Sequence, residues 1–193
     1  KAQERFLELR FNWLKKMPHV RANTILVEGV PEDKRTDKDV RAFFDEMFPG
    51  NKIESAYIVK DTSELLPLVK ASDAAAKGLN EAEARWTHDN KDPEKRPQVR
   101  ASLFGGKVDA IEHYTQQLSE LNPQIKEKIK EIEKAALDAS SGATCVNAFV
   151  TFKERKDAEV ALRLDYTSDR GEWEVSTPPA PSDVVWKDFQ QDP

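Results

Sequence analysis

Ile111, Leu118, Ile125 and Ile132 stand seven residues apart, with Val108, Tyr114, Leu121 and Ile129 beside them. That spacing leaves little choice. Only a helix brings every seventh side chain back to one side, and such a seam has to be covered by another helix. Pro123 interrupts the run, either kinking one long helix or starting a second after an Asn122 cap. Because the step of seven persists across Pro123, one kinked, continuous helix is expected. The preceding stretch TSELLPLVKASDAAAKGLNEAEARW supplies the partner: Leu65, Val69, Ala76, Leu79 and Trp86 fall on one helical stripe, with Ser63 placed to cap it. Residues 63–142 are therefore expected to form an antiparallel helical hairpin. Its tip, DNKDPEKRPQVRASLFGG at 89–106, is rich in Pro, Gly and basic residues and holds one apolar pair, Leu103-Phe104.

The flanking segments read differently. NTILVEGVP (23–31) is a β-branched run ended by Gly-Val-Pro, with Ile25 and Val27 on one face and Leu26 and Glu28 on the other. RTDKDVRAFFDEMFPG reads as a helix capped by Thr36 or Asp37, with Val40, Phe43, Phe44 and Met47 inward and Pro49-Gly50 as its stop. KIESAYIVKD (52–61) alternates Ile53, Ser55, Tyr57 and Val59. Beyond the hairpin, CVNAFVTF (145–152) is a third strand, with Val146, Ala148, Val150 and Phe152 on its core face. Lys153–Tyr166 follows as a helix with Ala158, Ala161, Leu162 and Tyr166 inward. GEWEVST (171–177) is the last strand, behind a turn at Asp169-Arg170-Gly171.

The resulting order, β-α-β-β-α-β, predicts an α+β fold. It is the ferredoxin-like split βαβ arrangement used by the RNA recognition motif (RRM), in one four-stranded antiparallel sheet. The core would comprise 22–62 and 143–190, with 63–142 inserted between its second and third strands. In an RRM, bases stack on aromatics of the first and third strands. Aligning the third-strand consensus on CVNAFVTF puts Phe152 and Phe149 at aromatic positions, but the other two platforms are Asn147 and Leu26. Glu28 shares that face and repels phosphate. Each stacked base is worth about 1–3 kcal/mol, so Leu26, Glu28, Asn147 and Phe149 form a degenerate RNA-binding face, and no nucleic-acid partner is expected.

Charge points the same way. The chain has 193 residues and a net charge of −5, and an acidic protein is a poor partner for phosphate. The balance is uneven: residues 1–21 carry six basic groups against Glu4 and Glu8, a local +4 that leaves −9 for the remainder. Two readings of 1–21 stand side by side, a segment flanking an anionic membrane and an ordinary solvated helix. No apolar run approaches the ~20 residues that spanning requires. Cys145 is the lone cysteine, so neither an internal disulfide nor a recognisable structural zinc site is expected. No hydrolase, phosphate-loop or metalloprotease signature occurs. The expectation is a non-catalytic chain without cofactor. At the tip, Leu103 and Phe104 surrounded by Lys95, Arg96, Arg100 and Lys107 admit two readings. One is an interfacial membrane contact with apolar anchors and basic flanks; the other is a loop folded back so that Phe104 fills a gap.

Taken together, NTILVEGVP, VRAFFDEMFPG, AYIVKDTSELLPLV, GGKVDAIEHYTQQLSEL, NAFVTFKER and PPAPSDVVWKDF resemble the cytosolic domain of the OSCA-type hyperosmolality-gated, calcium-permeable channels, from about residue 13 to 189. The resemblance implies a long intracellular loop between transmembrane helices, on the cytosolic face of a plasma membrane or endomembrane. It implies an RRM-like fold with inserted helices and a homodimeric channel whose pore lies outside this chain. Residues 1–21 would then continue a transmembrane helix. It also implies that the loop at Leu103-Phe104 is a hook entering the inner leaflet. A soluble RRM-like RNA-binding or adaptor domain is the alternative.

Overall fold

A computed structural model describes residues 1–100, 106–169, 171–180, 182–185 and 187–190, the side chains of 13–15 and 190 excepted. The chain divides into two compact units, Lys1–Asp61 with Ala135–Pro193, and Thr62–Lys134.

The first unit is α+β. Its elements are α1 (Ala2–Lys15), α2 (His19–Asn23), β1 (Thr24–Glu28), α3 (Asp37–Met47) and β2 (Ile53–Lys60), then β5 (Thr144–Phe152), α6 (Arg155–Ala161) and β6 (Glu174–Ser176). Four strands form one antiparallel sheet in the order β2-β5-β1-β6. One face carries the core: Ile25 and Val27 from β1, Ile53 and Ile58 from β2, and Ala148, Val150 and Phe152 from β5 meet Val40, Phe44, Ala158 and Ala161 of the two helices. Aromatic rings close it. Phe44 lies 5.3 Å from Phe43, 5.5 Å from Tyr166 and 6.2 Å from Trp173, and Trp173 stacks on Phe43 at 3.8 Å.

Local chemistry sets the boundaries. Thr36 caps α3, its hydroxyl accepting from Asp39 N at 3.0 Å. Asn23, buried at the end of α2, donates to the carbonyls of Phe152 and Lys153 at 3.1 and 3.2 Å, tying α2 to the end of β5. The carboxylate of buried Asp157 takes a 2.8 Å ion pair from Lys52.

Several details differ from the sequence expectation. Met47 is exposed and Phe48 is buried in its place. The helix ends at Met47, and the cap residue Phe48 turns back so that its ring meets Phe152 at 5.1 Å. In β2 the inward residues are Ile53 and Ile58, whereas Tyr57 is 48% exposed. A register shift between Ile53 and Ser55 inserts one residue and inverts the alternation beyond it. A second irregularity near Val59 leaves Ile58 and Val59 both buried. The helix expected over Lys153–Tyr166 stops at Ala161, and Tyr166 reaches back through its hydroxyl to the Ala161 carbonyl at 3.0 Å. Of the turn expected at 169–171, Arg170 lies outside the described residues.

Burial pushes the Tyr166 phenol up to about 12, above the ordinary value near 10. Between about pH 10 and 12 the unfolded chain therefore releases a proton that the folded one keeps, and stability falls as pH rises. Tyr166→Phe is expected to flatten that fall in thermal melts taken across the window. Parallel slopes for the two proteins would count against it.

The second unit contains α4 (Leu65–His88) and α5 (Ala110–Ala135), joined by a ribbon of β3 (Gln98–Arg100) and β4 (Lys107–Asp109). Glu64 pairs with Lys128, the Ser72 hydroxyl donates to Asn122 Oδ1 at 3.3 Å, and Gly78 faces the ring of Tyr114. As numbers rise along α4 they fall along α5, so the helices run antiparallel. Glu64 and Glu131 together raise the Lys128 pKa by hydrogen bonding. The most buried residues of α4 are Ala75 and Ala82, neither on the expected stripe. Ile111, Leu118, Ile125 and Ile132 are each half-buried, because a seam covered by one neighbour keeps one flank open. Helix α5 passes through Pro123 without a break, so Asn122 caps nothing, and Ser63 lies before the Glu64 that precedes α4.

Candidate functional site

Two surfaces were singled out by sequence, and each lies within one unit. The first is the outer face of the sheet. Period-two alternation puts Leu26 and Glu28 of β1 opposite the core residues Ile25 and Val27, and Asn147 and Phe149 of β5 opposite Ala148 and Val150. Leu26 pairs directly with Phe149 across the two strands. Leu26 and Asn147 are nevertheless buried, at 5% and 6% exposure. The chain's own C-terminal segment covers Asn147. A single helical turn at Asp188–Gln190 sets Phe189 edge-on to Phe149, ring centroids 5.6 Å apart. Asn147 Nδ2 donates to the Phe189 carbonyl at 2.9 Å. Further back, Arg21 Nε donates to the Pro178 carbonyl at 3.4 Å, joining the incoming and outgoing segments. The ring meeting Phe149 is thus a side chain of the same polypeptide. Phe189 escaped the sequence reading because forty residues separate it from its partners and nothing in PPAPSDVVWKDF marks it as inward.

The β2 edge of this sheet is occupied as well. Asp37 accepts from Ile58 N at 2.7 Å and holds Lys60 Nζ at 2.8 Å, while Arg41 donates to the carbonyls of Glu54 and Ile53 at 3.2 and 3.1 Å. Side chains of α3 thereby take up backbone groups that another strand would need. Lys60 also lies 3.7 Å above the Tyr57 ring.

The second surface is the tip of the helical unit. The ribbon pairs Gln98 with Asp109, Val99 with Val108 and Arg100 with Lys107. Two three-residue strands are too short to show an alternation, which is why sequence gave only a loop. Leu103 and Phe104 lie outside the described residues. Of the basic residues grouped with them, Arg96 is engaged within the unit: it pairs with Asp109 and Glu112 and stacks over Trp86 at 5.1 Å. Lys95 lies 3.9 Å from Asp92, and Arg100 and Lys107 are exposed, opposite each other at the mouth of the loop. Among the described residues there is no metal-ligating cluster of His, Cys, Asp and Glu, Cys145 is buried, and no helix is long and apolar enough to cross a membrane.

Comparison with known proteins places these surfaces in context. The family described as the cytosolic domain of a 10TM putative phosphate transporter matches residues 22–188. Two similar proteins of Arabidopsis thaliana are hyperosmolality-gated Ca2+ permeable channel 1.3, 29% identical over 171 residues, and channel 1.4, 30% identical over 168. These alignments cover 86% and 84% of this chain but 21% and 20% of the relatives, so the chain spans about a fifth of their length. A protein of Saccharomyces cerevisiae, RSN1, is 25% identical over 194 residues, covering 86% of this chain and 19% of its own. The family match runs through both units, from just before β1 to the turn that carries Phe189, and the chain therefore belongs to this family of cytosolic domains of multi-pass membrane proteins.

Proposed function

We propose that this chain is the non-catalytic cytosolic domain of a mechanically or osmotically gated cation channel, serving contact between two subunits and the coupling of bilayer tension to the pore. In this reading 22–62 and 143–190 are an RRM-like core, 63–142 is a hairpin inserted between its second and third strands, and 1–21 flanks the membrane. The order β2-β5-β1-β6, with helices following β1 and β5, fits the split βαβ arrangement. The observation that carries the function is the similarity over most of the chain to proteins named as hyperosmolality-gated channels. The family's description as a putative transporter shares the multi-pass setting, and the channel reading follows the named relatives. A soluble RNA-binding adaptor is disfavoured because Asn147 is already bonded to the Phe189 carbonyl and the Phe189 ring stands edge-on to part of Phe149.

Coupling to the bilayer is assigned to the ribbon loop. Leu103 and Phe104 serve as apolar anchors in the inner leaflet, and Lys95, Arg100 and Lys107 face the headgroups. Arg96, bound to Asp109 and Glu112, braces the base of the loop. Burying the two anchors is worth about 3–6 kcal/mol, at ~1.5–3 per side chain. In membrane patches holding the full-length protein, Leu103→Ser with Phe104→Ser is expected to raise the pressure needed for half-maximal opening while leaving conductance unchanged. Unchanged gating would remove the loop from the mechanism. Absence of any stretch- or osmolality-evoked current in the unmodified protein would refute the channel reading itself.

A further inference from the structure

Where the incoming and outgoing segments meet beside the outer face of the sheet they leave a hollow of about 330 Å³. Val20 lines it from one side, Pro178, Pro179 and Val184 from the other, and Tyr57 and Phe149 form its floor. Two of these side chains, Val20 at 69% and Tyr57 at 48%, are exposed, apolar area that an occupant would remove from water. The threonine hydroxyls in the lining make no demand on an occupant. The Thr24 hydroxyl donates to the Val20 carbonyl at 2.6 Å and meets the Thr151 hydroxyl at 2.9 Å, so both threonines are satisfied. Among the described lining residues one carries a charge. Arg21 spends its Nε on Pro178, and no carboxylate of the described residues lies within ion-pair distance of its guanidinium.

An apolar hollow with one cation available at its side fits a single alkyl chain ending in an anion. We propose that it is a binding site for one free fatty acid, its chain lying over Tyr57 and Phe149 beneath Pro178 and Val184 and its carboxylate on Arg21. The volume argues for one chain: it stands at the lower end of the ~300–1,000 Å³ typical of small-molecule pockets, too little for both tails of a phospholipid. The hollow is built from the two segments that tie the sheet to the rest of the polypeptide. An occupant would hold them together.

The test is calorimetric titration of the 193-residue chain with dodecanoate below its micelle concentration, with dodecanol and dioleoylphosphatidylglycerol vesicles as parallel arms. Saturable binding of one dodecanoate is expected. Arg21→Gln should weaken it roughly ten- to hundredfold, the worth of one charged hydrogen-bonded pair, with dodecanol affinity unchanged; Arg21→Lys should restore most of the loss. Val184→Glu places a carboxylate in the lining at a surface position and should abolish binding, while circular dichroism verifies that the variant is folded. Dodecanoate binding that survives Val184→Glu would put the ligand elsewhere and overturn the site. Absence of saturable binding in the unmodified chain overturns it too. Binding confined to the vesicles would make the hollow a contact for bilayer lipid and overturn the fatty-acid assignment.

Discussion

Gly29→Ala is expected to destabilise the sheet unit by about 3 kcal/mol or more, the sum of two separate costs. Gly29 adopts φ +71°, where a side chain is strained, and a Cβ built there falls 1.9 Å from the Gly171 carbonyl oxygen. That oxygen is backbone and cannot swing aside. Yielding would separate the β1 end from the turn before β6, where Trp173 N donates to the Gly29 carbonyl at 3.2 Å. Gly50 provides the control. Its φ is +100° but nothing lies within 4 Å of a Cβ, so Gly50→Ala should show conformational strain alone, about 1–2 kcal/mol. Urea unfolding followed by circular dichroism measures both, and equal losses at the two positions would contradict the steric argument.

Phe44→Ala is expected to cost about 3–5 kcal/mol, the range for emptying a large aromatic site in a core. Phe44 is fully buried and its ring meets those of Phe43, Phe152, Tyr166 and Trp173. These neighbours come from α3, β5, the segment after α6 and the approach to β6, so no single element can shift to fill the space. Phe44→Leu retains much of the volume and should cost no more than about 1.5 kcal/mol. A loss below 1 kcal/mol for the alanine variant would mean that the cluster relaxes, contrary to its packing.

Both predictions concern residues whose importance was unequally visible in the sequence. Phe44 was legible because the α3 stripe has the helical period and the Pro49-Gly50 stop fixes its phase. The inward face of β5 was legible for a similar reason: Val146, Ala148, Val150 and Phe152 alternate without interruption. In β2 the same reasoning failed at a single inserted residue, since alternation transmits a bulge to every later position. Helix α6 was overdrawn because Tyr166 falls on the helical stripe yet reaches the core from a turn. In the helical unit the apolar positions of α5 were evident, whereas Ala75 and Ala82 are small and carry little hydrophobic signal. At the outer face of the sheet, Asn147 and Leu26 were recognised as poor stacking platforms. What Asn147 does instead depends on Phe189, a long-range contact that no local pattern encodes.

The order of the strands has a mechanical meaning. Strand β1, which receives the incoming chain, lies beside β6, which releases the outgoing one, in the antiparallel pairs Leu26–Ser176, Val27–Val175 and Glu28–Glu174. The chain thus arrives and departs at the same end of two neighbouring strands. Ladder bonds in such a pair run perpendicular to the strands, so drawing the two chain ends apart loads them one after another, as in a zipper, with Leu26–Ser176 first. A sheet whose ends left from opposite extremities would resist in shear, all bonds at once. Here the Phe189–Asn147 and Arg21–Pro178 bonds stand outside the ladder, which itself has three residue pairs. The fold therefore sets a seam of three residue pairs between the strand that receives the chain and the strand that releases it, while β5 is paired on both sides.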